Sequence, residues 1–185
     1  MDWDFPIGRL FLLEGQVTTL TDHFSLLELT HSDTAVRLGI DNSAPDRLLM
    51  NLFVLAVGLE KVRALLGGKP LKISSGYRCE ELERVLCAKD FAAWCSRHGK
   101  HQGAQAWDEY FARKAHPKGY AADFTCSAFG DPLSIVKAIE ASDIEFDQCI
   151  MEGGSWVHIS FAPAQRREVL TATFTGGTAS YSKGA

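Results

Sequence analysis

The sequence predicts an α+β fold: a small, mainly antiparallel sheet with helices packed on one side. Three observations carry that prediction. Two short runs, 119–124 and 156–161, alternate apolar and polar or small residues as half-buried strands do. Gly153-Gly154 separates the second run from an apolar stretch, Phe146–Glu152, which predicts a hairpin. Leu48, Leu52, Leu55, Leu59, Val62 and Leu66 recur at helical spacing, which predicts one long scaffold helix.

Each element has its own local reason. Arg9–Leu13 reads as a strand or a turn of helix, and Phe24–Leu29 as a short helix followed by a polar loop at His31, Ser32 and Asp33. The long helix starts near Asn42–Pro45, with Ser43 as its cap and Pro45 in its first turn, and Gly67-Gly68 ends it. Leu71–Ser74 is a strand leading into Ser75-Gly76-Tyr77-Arg78, where Gly76 lets the backbone turn. Residues 80–98 and 104–113 read as helices around Gly99 and Gly103, with Trp94, Trp107, Tyr110 and Phe111 packing them onto the body. His98 and His101 fall in the polar linker and read as solvated. Asp131-Pro132 opens a helix to about Ala141. Arg167–Phe174 is a last strand, and the Gly-, Ser- and Thr-rich tail, 176–185, is expected to fray.

Composition bounds the function. A chain of 185 residues predicts one domain, 1–185, with 1–23 as an N-terminal extension. The net charge of −4 and the lack of a basic block argue against nucleic-acid binding. The acidic start has no apolar h-region, and no run approaches a membrane span. Five cysteines, an odd number without a CxxC pair, argue against a disulfide framework and against a cysteine zinc knuckle. The expected setting is synthesis in a reducing cytoplasm.

The chemistry gathers at His116-Pro117-Lys118-Gly119-Tyr120-Ala121-Ala122-Asp123. In a strand starting at Gly119, Gly119, Ala121 and Asp123 share a face that leaves room for an ion, with His116 in the turn before it. In Trp156–Phe161, His158 shares a face with Trp156 and Ser160. Two histidines and an aspartate make a three-ligand set with an open fourth position, the ligand count of a catalytic zinc site. Each residue alone also fits a half-buried strand position; the set is harder to explain that way. A general base depends on the hairpin register. A three-residue loop puts Glu152 opposite Trp156, on the face of His158; a two-residue loop turns Glu152 away and brings Asp147 opposite Ser160. Arg78 has the fork geometry to grip a carboxylate; its alternative is a surface ion pair with Glu80 or Glu81.

Three ordered segments resemble the zinc D-Ala-D-Ala carboxypeptidase family of peptidoglycan peptidases: Ser75-Gly76-Tyr77-Arg78, His116-x-x-Gly119-x-Ala121-x-Asp123, and Trp156-Val157-His158. The resemblance runs from about Phe24 to about Phe174. It implies a hedgehog- or DD-peptidase-like fold, Zn2+ held by His116, Asp123 and His158, Arg78 on a substrate carboxylate or carbonyl, and a peptidoglycan stem peptide as substrate. It implies an enzyme, a carboxypeptidase or endopeptidase of phage endolysin type, working as a monomer and reaching the wall after release from the cytoplasm. Three features depart from the family pattern. Lys114 stands where the pattern has Ser. Ser155 stands where many members carry a carboxylate three residues before the last His. The stretch 85–113 holds a helical insertion of roughly 20 residues, a candidate wall of the substrate cleft. The competing reading is a non-catalytic zinc-binding domain on the same scaffold, acting as a virion, tail or partner-binding component. A third is a thiol enzyme using one of the five cysteines; none has an evident His partner in sequence, and one hairpin register would set Cys149 facing His158.

Overall fold

The computed structural model describes residues 12–13, 16–17, 19–176 and 178–185. Leu12–Leu13 (β1) pairs with Gln16–Val17 (β2) as a two-residue ladder; Arg9–Phe11 lie outside the described residues. Ser25 accepts from Glu28 N–H and caps Leu26–Thr30 (α1). Ser32 accepts from Ala35 N–H in the same way, so the segment expected as a loop is a second short helix, Asp33–Leu38 (α2), ended by Gly39. The long helix starts later than expected. Pro45 precedes a 3-10 turn, Asp46–Leu48, and Leu49–Leu65 (α3) follows it; Ser43 caps nothing.

Six strands form the main sheet in the order β3-β4-β6-β5-β7-β8. They are Lys72–Ser75 (β3), Ala121–Thr125 (β4), Gln148–Glu152 (β5), Trp156–Ser160 (β6), Glu168–Thr175 (β7) and Thr178–Lys183 (β8). All neighbours are antiparallel except β5 and β7. The α+β expectation therefore stands. Within the tail, Thr178–Lys183 is a strand: β8 pairs with β7 from Thr175↔Thr178 to Leu170↔Lys183, so its backbone bonds are met inside the sheet.

Alternation divides the sheet into two faces. Ala122, Phe124, Cys149, Val157 and Ile159 point into the main core with α3 and with Pro132–Glu140 (α7). Asp123, His158, Ile150, Glu152, Leu170 and Tyr181 point to the other face, the floor of a cleft. Helices Glu80–Leu86 (α4), Ala88–Arg97 (α5) and Ala104–Phe111 (α6) make up the 80–111 segment. Their aromatic residues do not join the main core. Trp94, Trp107 and Tyr110, with Phe91 and Phe111, form a cluster of their own, so these helices share a core separate from the main one. These helices border the cleft, and Ala179 N–H of β8 donates to Asp90 of α5 at 3.1 Å.

Candidate metal centre

His116 opens a 3-10 turn, His116–Lys118, which Pro117 favours and Gly119 ends at φ +74°. Gly119 is thus the left-handed cap of the turn, not the first strand residue, and β4 begins at Ala121. The turn aims the His116 ring inward. Its Nδ1 lies 2.6 Å from the Gly76 carbonyl oxygen, which only accepts, so Nδ1 carries the proton and Nε2 keeps its lone pair. Asp123 on β4 and His158 on β6 are direct cross-strand partners. Pairing on one face brings their side chains together.

Three donor atoms converge. His158 Nδ1 is 2.8 Å from Asp123 Oδ1. His116 Nε2 is 3.2 Å from both. A tetrahedral zinc with bonds of 2.0–2.1 Å sets its ligand atoms about 3.3 Å apart, so this triangle fits such an ion. All three residues are buried, and among the described residues no other group of three or more His, Cys, Asp or Glu side chains converges this way. Burial, with Arg78 close by, holds the His116 pKa below its usual value, so the imidazole stays neutral as a ligand must. Burial pushes the Asp123 carboxyl up, but the Arg78 guanidinium beside it outweighs this and holds the pKa well below the usual carboxylate range.

Arg78 is built into this arrangement. Its Nε donates to Ser75 Oγ at 2.8 Å and its Nη2 to Asp123 Oδ2 at 2.5 Å. Nη1 lies 3.5 Å from Glu83. The ion pairs expected with Glu80 or Glu81 are not formed; Glu80 pairs with Arg84. Arg78 therefore holds the Asp123 oxygen that faces away from the two histidines, and keeps N–H groups over for a ligand. Sequence reading missed Glu83, a buried carboxylate that also accepts from the Cys87 thiol at 2.9 Å and lies 3.9 Å from Lys114. Nothing in the run Glu80-Glu81-Leu82-Glu83 singles it out except the helical spacing that buries it beside Leu82. Lys114, where the family pattern has Ser, stacks its ammonium 4.3 Å from the Tyr110 ring.

The hairpin takes the three-residue loop, Gly153 to Ser155, with Glu152 opposite Trp156. Glu152 thereby shares the His158 face and lines the cleft. Burial raises its pKa, against the pull of His158 and Arg78. Asp147 is not on that face. Gln148 is the partner of Ser160, and Asp147 is held by Arg166 through bonds of 2.8 and 2.7 Å. Cys149 lies opposite Ile159, not His158, and is fully buried in the core with its thiol pushed up to about 12 by burial; the thiol reading falls with that register. His31 and Asp33 pair with each other at the surface. His98 borders the cleft with Nδ1 2.8 Å from the Trp94 carbonyl, and neither it nor His101 joins the three donors.

The cleft around these residues measures about 960 Å3. Its floor is the sheet from β4 to β8, and α5 and α6 border it. No helix among the described residues is long and apolar enough to cross a membrane. No curated protein sequence matches the chain. A family does: the model described as Peptidase M15 matches residues 22–108, a stretch that contains Ser75–Arg78 and Glu83 and stops short of His116. Over that stretch, just under half of the chain, the sequence is similar to Peptidase M15, a family of the zinc D-Ala-D-Ala carboxypeptidase type.

Proposed function

We propose that this protein is a zinc peptidase that cleaves peptidoglycan stem peptides, with His116, Asp123 and His158 as metal ligands and Glu152 as general base. The observation that carries the reading is the convergence of three buried donor atoms at 2.8–3.2 Å on the cleft face of the sheet, with His116 tethered to Gly76. A bound zinc ion would polarise the scissile carbonyl and make its water acidic enough to ionise near neutral pH. Glu152 then takes the proton of the attacking water and returns it to the leaving amine. A carboxylate with a raised pKa suits that exchange. Arg78 holds Asp123 in place and offers its remaining N–H groups to the substrate's carbonyl or carboxylate oxygen. The bond cleaved, at a terminal D-alanine or inside the stem, and a phage endolysin role are parts of this reading that rest on the family resemblance.

The test is hydrolysis of purified peptidoglycan with and without a chelator, followed by zinc add-back, with His158→Ala as control. Cleavage that requires zinc and is lost in the variant supports the peptidase, and the fragments name the bond. Stoichiometric zinc with no cleavage of any wall preparation would leave a non-catalytic zinc-binding scaffold instead.

A further inference from the structure

The tail expected to fray carries Tyr181 into the cleft. Register lines the floor up in rows. One row runs Asp123, His158, Ile150, Leu170, Lys183 from β4 to β8. The next runs Trp156, Glu152, Ala172, Tyr181 from β6 to β8. Tyr181 therefore stands on the same face as the metal-ligand set and the base, one small residue away from Glu152. Ala172 between them has no accessible surface although it lies on the cleft face, so larger neighbours cover it. The Tyr181 hydroxyl feels the carboxylates of Glu152, Asp90 and Asp123, and burial with those charges pushes its pKa up to about 12. Its hydroxyl is thus neutral, a hydrogen-bond donor throughout the neutral range. More than half of the residue's surface, 55%, stays open, and it lines the cleft. The bond from Ala179 to Asp90 fastens β8 to α5 beside it.

We propose that Tyr181 is a specificity residue that donates its hydroxyl to a carbonyl or carboxylate oxygen of the substrate peptide, two to four residues from the scissile bond. The distance follows from the sheet. From β6 to β8 are three strand spacings, about 14 Å. The length of the tyrosine side chain spans part of this. An extended peptide covers the remainder with about two to four residues at 3.3–3.6 Å each. The site so described takes a stem peptide of several residues in preference to a terminal dipeptide. It rests on the peptidase reading above.

A tyrosine on an edge strand can also be present only for its strand preference. Tyr181→Phe separates the two, because it keeps the ring and removes the donor. The experiment compares zinc-loaded wild type and Tyr181→Phe on a stem pentapeptide and on an N-acylated D-Ala-D-Ala dipeptide. Binding of the same pentapeptide is measured by calorimetry. The expected result is a loss of about three- to tenfold in kcat/KM on the pentapeptide, the size of one neutral hydrogen bond. Pentapeptide affinity should fall in parallel, with the dipeptide rate and the melting temperature unchanged. Equal effects on both substrates, or no effect on either, overturn the proposal while the peptidase reading stands. A wild type that neither cleaves nor binds the pentapeptide overturns both.

Discussion

Replacing Gly76 with Ala should loosen the fold and the metal centre together. Gly76 is not at a positive φ; its lack of a side chain serves a close approach. A Cβ there would run into the Leu29 carbonyl oxygen and sit 3.0 and 3.1 Å from the Leu29 carbonyl carbon and Cα. All of these are backbone atoms at the end of α1, so no side chain can swing away. The same Leu29 carbonyl accepts Tyr77 N–H at 2.7 Å, and the Gly76 carbonyl accepts His116 Nδ1–H at 2.6 Å. Overpacking costs about 1–3 kcal/mol. The strained Tyr77–Leu29 bond adds about 1 kcal/mol. A total of about 2–4 kcal/mol corresponds to a fall of about 4–16 °C in Tm for a domain of this size. Displacing the group that orients His116 should cost about 10–100-fold in metal affinity. Thermal unfolding in chelator measures the first effect, and zinc titration against a competing chelator the second. A Gly76→Ala variant that melts within about 2 °C of wild type would refute the steric reasoning. One that melts lower but binds zinc equally well would show that the Gly76 carbonyl does not orient His116.

Three further outcomes follow from the same structure. Glu152→Gln should lower kcat by about 100-fold or more while leaving zinc stoichiometry intact; retained activity would remove Glu152 as the base. Arg166→Ala should cost about 1 kcal/mol at neutral pH, a modest figure because Arg166 is half exposed. The Arg166 hydrogen bonds hold the Asp147 pKa below its usual value. The stability they add is therefore present above the unfolded value near 3.9 and lost as pH falls through the lower folded value. Wild-type and variant stabilities should converge in acid, and a gap that widens there would contradict the pairing. Thiol-blocking reagents should leave zinc-dependent hydrolysis unchanged, since Cys149 is buried with a pKa of about 12 and Cys87 is buried with one of about 11. Inactivation in parallel with modification of one cysteine would reopen thiol chemistry.

Where the amino-acid order alone determined the answer, the signal was local. The alternation of Trp156–Phe161 and the turn before Ala121 predicted which residues point to one face, because a strand's period is two whatever it pairs with. His116, Asp123 and His158 were legible for that reason, as was the long helix from its apolar spacing. What lay beyond it required partners distant in the chain. Gly153-Gly154-Ser155 permits either loop length, and only the pairing of β5 with β6 puts Glu152 on the His158 face and turns Asp147 and Cys149 away. Residues 178–183 have a composition that reads as a loose tail. They are a strand because β7 offers an unpaired edge for their N–H and C=O groups. The aromatic residues of 80–111 are apolar enough for any core, and tertiary packing decided that they form their own. Gly76 is the clearest case. A glycine in a sequence signals either a backbone angle or a missing side chain, and only the Leu29 carbonyl beside it shows which.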